Sequence, residues 1–152
     1  MGQVGGDEFG RWFAEAEPRL RRAFAGTRGP QDAHDAVAEA LGYAWEHWDR
    51  VREMDNGVGY VFRVGMSRTR HRRRADLPVE AAVGQPDFEP GLVPALRSLP
   101  DKQRLAVWLV HACDWSHHEV AEAMGVTPST VSTHVSRGLA ALRRDLEVKT
   151  DA

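Results

Sequence analysis

The stretch from Ser116 to Leu146, SHHEVAEAMGVTPSTVSTHVSRGLAALRRDL, restricts the fold more than any other part of the chain. Ser116 with Glu119 three positions on fits a capping box, in which each side chain satisfies a backbone N–H left free by the first helical turn. Val120, Ala121 and Met124 then supply a short apolar face. Gly125 can take the left-handed conformation that ends a helix. Thr127-Pro128 starts another, with Thr127 as N-cap and Pro128 at the first helical position. Val131, Val135, Leu139, Leu142 and Leu146 follow as one continuous stripe. A short helix, a tight turn and a longer helix is the layout of a helix-turn-helix. Cap, turn glycine, second cap and both stripes agree, and such consistency separates the motif from an ordinary pair of core helices.

Helical geometry then selects the side chains that face outward. With the Val131 stripe turned inward, Ser129, Thr133, Ser136 and Arg137 point away, and Thr130 and Ser132 lie on the flanks. Hydroxyls bond phosphates or base edges, and an arginine can fork onto a guanine or a phosphate. The tip of this helix holds few cations, so alone it is expected to bind DNA weakly.

A second source of affinity lies upstream, in GYVFRVGMSRTRHRRR. Arg63, Arg68, Arg70, Arg72, Arg73 and Arg74 crowd one stretch, where like charges repel unless an acidic partner neutralises them. Phosphates are such a partner. Tyr60 and Phe62 just ahead fit either core positions or rings that stack on exposed bases. The formal net charge of -2 does not oppose this reading, because a local patch governs phosphate contact.

The rest of the chain reads as helix almost throughout. Phe9, Phe13, Ala16, Leu20 and Phe24 recur at helical spacing, and Gly26 to Pro30 breaks the pattern. A second stripe runs through Val37, Ala40, Leu41, Ala44, Trp45 and Trp48. A turn at Met54-Asp55-Asn56-Gly57 precedes the basic helix. From Ala75 to Gly91 periodicity fades, and Pro78, Pro86 and Pro90 mix with Asp76, Glu80, Asp87 and Glu89. The expected fold is all-α: two small helical domains, 7–75 and 92–148, joined by an acidic, proline-containing linker, 76–91.

Several function classes find no support. No apolar run approaches the length that crosses a bilayer, and no secretory signal is visible, so the expectation is a cytoplasmic protein without a membrane partner. One cysteine, Cys113, excludes an internal disulfide. His111, Cys113, His117 and His118 match no zinc spacing, and no phosphate loop or nucleophile elbow is present. No metal, no cofactor and no catalytic residue is expected.

Three stretches together resemble one known family, the two-domain sigma factors of the extracytoplasmic-function group. DAHDAVAEALGYAW resembles their polymerase-binding helix, and NGVGYVFRVGMSRTRHRRR resembles the helix that engages the −10 element. LRSLPDKQRLAVWLVHACDWSHHEVAEAMGVTPSTVSTHVSRGLAALRRDL resembles their C-terminal domain, which reads the −35 element. The resemblance implies that Asp35 and Glu39 contact the clamp coiled coil of core RNA polymerase. It implies that the turn from Arg52 to Asn56 captures a base flipped from the melted non-template strand, at a cost lowered once the strand is opening. The linker would thread into the polymerase channel. The implied partners are core polymerase, promoter duplex, the melted non-template strand and an anti-sigma factor. Weak intrinsic DNA affinity then fits, because the polymerase supplies the remainder through avidity.

The chain departs from that pattern at Ala38, where Gln is usual, at Tyr60 for Trp, at Ser67 for Asn and at Ser132 for Lys or Arg. Two other readings share the same residues: a regulator that binds a palindromic operator directly as a dimer, and a degenerate sigma-like module that titrates a partner without driving transcription.

Overall fold

The structure, a computed structural model, describes residues 3–28, 30–69 and 92–150. Every regular element among them is helical. Helix α1 (Gln3–Ala25) turns Ala16, Leu20, Ala23 and Phe24 inward at three- and four-residue spacing, as an amphipathic helix must. It stops at Gly26, where the amides of Thr27 and Arg28 return to the Phe24 carbonyl at 3.0 and 2.8 Å. Helix α2 (Pro30–Glu46) buries Ala33, Ala36, Val37, Ala40, Leu41, Tyr43 and Ala44. The alanines let α1 and α2 lie close, so Phe24 reaches Phe62 across the bundle with ring centroids 4.6 Å apart.

A short helix, α3 (Trp48–Val51), leads to the turn before α4 (Gly57–Arg68). Asn56 caps α4: its Oδ1 accepts from the Gly59 amide at 3.0 Å. Arg28 is tied to the end of α4 through a bond from its Nη2 to the Met66 carbonyl at 3.3 Å, and burial lowers its pKa, an effect Asp32 partly opposes. Arg70, Arg72, Arg73, Arg74 and the expected linker 76–91 lie outside the described residues.

The second half starts with α5 (Leu92–Ser98) and α6 (Asp101–Val107). Helix α6 runs on into a π-helical turn, Trp108–Ala112, closed by the Cys113 amide on the Trp108 carbonyl at 3.1 Å. Asp114 then takes φ 57°, an uncommon left-handed conformation for a residue with a Cβ. That reversal turns Trp115 into the core, where it is 2% exposed. Helices α7 (His117–Met124) and α8 (Pro128–Thr150) complete the chain. Ala95, Leu99, Val107 and Leu142 make a small apolar cluster of their own under α5.

The larger core does not stop at the middle of the chain. Phe62 from the first half stands edge-on to Trp115 from the second, 5.4 Å between centroids, and one hydrophobic cluster contains both. No helix among the described residues is long and apolar enough to cross a membrane.

Candidate nucleic-acid interface

The helix-turn-helix is built by local bonds. Ser116 Oγ accepts from the Glu119 amide at 3.1 Å, and Glu119 Oε1 accepts from the Ser116 amide at 3.1 Å. Gly125 ends α7 with φ 69°, and the Val126 amide returns to the Ala121 carbonyl at 3.0 Å. Thr127 Oγ1 accepts from the Thr130 amide at 3.2 Å and so caps α8. Val131 and Val135 are buried and fix the rotation of α8 about its axis. That rotation leaves Ser129, Ser132, Thr133, Ser136 and Arg137 exposed, with Thr130 half-buried.

The hydroxyls at this tip already have neighbours. Thr127 Oγ1 lies 3.2 Å from Ser129 Oγ and 2.9 Å from Thr130 Oγ1, and Thr133 Oγ1 donates to the Ser129 carbonyl at 3.1 Å. Ser132 Oγ is 3.0 Å from His117 Nδ1. His117 therefore joins the site as a residue that orients Ser132. The sequence reading missed it, because a helix-start histidine carries no signal of which residue on a later helix it will meet.

On α4, Arg63 is exposed and its guanidinium lies against the turn glycine: a Cβ added at Gly125 would come within 3.0 Å of it. Arg68 pairs with Glu39 at 3.5 Å and its guanidinium stands 5.2 Å over the Tyr43 ring. A residue expected to meet DNA is thus linked to one expected to meet polymerase. Arg52 pairs with Glu8 at 2.7 Å. Phe62 is fully buried, so it is a core residue and no ring for exposed bases. Tyr60 is half-buried, 3.3 Å from Tyr43 through the hydroxyls; that hydrogen bond, with burial, raises the Tyr43 pKa.

Asp35 and Glu39 lie one helical turn apart on α2, both half-buried, and Ala38 beside them is exposed. Trp45 on the same helix is 60% exposed, its ring 4.9 Å from Phe9. Among the described residues no group of three or more His, Cys, Asp or Glu side chains is placed to hold a metal ion. Burial pushes the Cys113 thiol up to about 12, far from the thiolate that a metal or an electrophile requires.

Residues 92–142 match the family model described as Sigma-70, region 4. The RNA polymerase sigma-E factor of Streptomyces antibioticus is 31% identical, over 79% of this chain and 73% of its own length. The RNA polymerase sigma-E factor of Streptomyces avermitilis is 32% identical, over 84% of this chain and 78% of its own length. Two solved structures share the fold. CnrH, in complex with the cytosolic domain of CnrY, aligns with TM-score 0.69 and 23% identity over 92% of this chain and 88% of that one. The sigma factor RpoE of Bartonella quintana, in complex with the anti-sigma factor NepR, aligns with TM-score 0.68 and 24% identity over 93% and 98%. A chain whose described elements are all helical and include a doubly capped helix-turn-helix, matched to sigma-E factors along most of both sequences, belongs to the sigma-70 family of RNA polymerase sigma factors, in its extracytoplasmic-function group.

Proposed function

We propose that this sigma factor divides promoter reading between its two halves, 7–75 for the polymerase and the −10 element and 92–148 for the −35 element, joined by 76–91. The observation that carries this reading is the tip of α8. Ser129, Ser132, Thr133, Ser136 and Arg137 form one exposed polar face on a helix whose rotation is set by Val131 and Val135. Thr130 supports that face from the flank. Arg137 supplies a fork for a guanine edge or a phosphate, and the hydroxyls supply shorter contacts.

In the first half, Arg63 and Arg68, with Arg70, Arg72, Arg73 and Arg74 beyond the described residues, would neutralise phosphates near the −10 element. The turn from Arg52 to Asn56 would receive the flipped base of the melted non-template strand. Asp35 and Glu39 would face the polymerase, with Trp45 adding apolar area. The chain itself would carry out no bond chemistry; RNA synthesis would belong to the polymerase. Its place of action would be the cytoplasm, and an anti-sigma factor is a fitting partner, since CnrH and RpoE were each solved with such a protein or a cytosolic domain bound.

The test is a pull-down with purified core RNA polymerase, followed by run-off transcription from genomic fragments. Binding with specific transcripts is the expected result. Binding without transcripts would leave a titrating module. No polymerase binding, with tight binding to palindromic DNA, would leave a direct operator-binding regulator.

A further inference from the structure

The hydroxyls at the tip of α8 are not equivalent. Thr133 gives its hydrogen to the Ser129 carbonyl at 3.1 Å, and Thr127 Oγ1 stands 3.2 Å from Ser129 Oγ and 2.9 Å from Thr130 Oγ1. Ser132 Oγ instead lies 3.0 Å from Nδ1 of His117, which belongs to the other helix of the motif. Both residues are exposed. A serine hydroxyl has one hydrogen to give, so the partner that takes it decides what the oxygen offers to DNA.

The imidazole can play either part. A neutral ring with its proton on Nε2 accepts at Nδ1, and Ser132 spends its hydrogen there. The serine oxygen then has lone pairs alone to offer, which suit an amino hydrogen on adenine N6 or cytosine N4 and repel a phosphate oxygen. A protonated ring donates from Nδ1, and the serine hydrogen is released toward an acceptor. Histidine is the side chain whose ordinary charge change falls between about pH 5 and about pH 8. We propose that His117 is a specificity-determining residue of the helix-turn-helix: through Nδ1 it sets whether Ser132 meets DNA as acceptor or donor, and proton uptake turns Ser132 toward a phosphate oxygen or a purine N7 or O6. The proposal rests on the reading of α8 as the promoter-reading helix and adds what sets its preference.

The fold holds His117 on a fixed support, which a positioning residue requires. Trp108 Nε1 donates to the Arg22 carbonyl at 3.2 Å, anchoring the turn that leads to α7, and Trp115 just before α7 is buried. Asn56 Nδ2 of α4 donates to the Glu119 carbonyl at 3.3 Å. The charges around the ring are largely engaged elsewhere. The Glu119 carboxylate is taken by Arg19 of α1 and by the Ser116 amide. Arg63 of α4 lies against Gly125, at the far end of α7. His111 and Asp114 on the preceding turn, and His118 and Glu122 on α7, are exposed. On α8, His134 is half-buried and Arg137 is exposed, while the positions next to Ser132 on its own helix face are Ser129 and Ser136. Protonation of His117 therefore places a cation among hydroxyls, at a tip with few cations of its own.

The experiment compares wild type, His117→Ala, Ser132→Ala and His118→Ala, each as the full chain on core RNA polymerase. Promoter fragments found by run-off transcription are titrated at about pH 6 and about pH 8. Circular dichroism checks that each chain stays helical. In wild type and His118→Ala the gain in affinity on going to the lower pH is expected to exceed that of His117→Ala and Ser132→Ala by about 3- to 10-fold, the share of one hydrogen bond. An excess that is the same on every −35 sequence identifies a phosphate acceptor, and one that changes with a single base pair identifies a purine edge. Equal gains in all four chains would overturn the proposal. A gain lost in His117→Ala but kept in Ser132→Ala would overturn it too, because the imidazolium would then act without the serine. Failure of the sigma reading looks different: run-off transcripts are missing for every chain. The same comparison on palindromic duplex without polymerase then decides the proposal, since the pair belongs to the helix-turn-helix in either reading. Absence of DNA binding by every chain would remove both.

Discussion

Arg19 and Glu119, 100 residues apart in sequence, form an ion pair that ties the first helix of the chain to the first helix of the helix-turn-helix. Glu119 simultaneously closes the capping box with Ser116. One carboxylate therefore holds a local helix start and a long-range seam.

This double role sets a pH dependence. Burial pushes the Glu119 carboxyl up, but hydrogen bonds from Arg19 and Ser116 outweigh it, and the carboxyl sits below its ordinary value of 4.5. A group with a lowered folded pKa contributes stability that is complete above its unfolded value and is lost as pH falls through the folded value. Wild type is expected to lose stability below about pH 4.5 more steeply than Glu119→Gln. Urea denaturation across that range measures the difference, and parallel curves would detach the titration from this residue.

Ser116→Ala removes the other half of the box. The expected cost is about 1 kcal/mol, read as a lower urea midpoint at unchanged slope. A larger slope change would mean that the capping box also sets the compactness of the chain.

Gly125→Ala meets two obstacles. The φ of 69° disfavours any Cβ, and the Arg63 guanidinium stands 3.0 Å from where that Cβ would go. The left-handed conformation alone is expected to cost about 1–2 kcal/mol. Arg63 is flexible and can withdraw, so Gly125→Ala combined with Arg63→Ala should recover little in denaturation. Near-complete recovery would identify the steric contact as the main cost.

Arg137→Ala is expected to weaken promoter use by about 10-fold or more while leaving polymerase binding nearly intact, since a bidentate base contact is worth about 1–3 kcal/mol. Run-off transcription and pull-down of the same preparation separate the two. Equal loss of both would place Arg137 at the polymerase instead of the DNA.

Ser132→Arg places a cation where sigma factors commonly carry one, on an exposed position of α8. The slope of log affinity against log salt should steepen by about 0.9, one phosphate's share. An unchanged slope would show that this flank does not approach the backbone. Loss of the His117 contact in this variant is reported separately by His117→Ala, which frees Ser132 without adding charge.

What could be read from the residues alone was whatever local chemistry specifies. The Ser116-Glu119 box, the left-handed Gly125 and the Thr127 cap all act within a few positions, and the structure forms each of them. The apolar stripe of α8 predicted its outward face for the same reason, because helical period converts spacing into direction. Phe62 was ambiguous between core and base-stacking roles; Phe24 and Trp115, distant in sequence, decided it by burying the ring. The π-helical turn at Trp108–Ala112 and the left-handed Asp114 have no sequence signature, yet they aim Trp115 at the first half. Tertiary packing alone joined the halves through Arg19, Asn56, Trp108 and Trp115, since periodicity reports which face of a helix is buried and never against which partner.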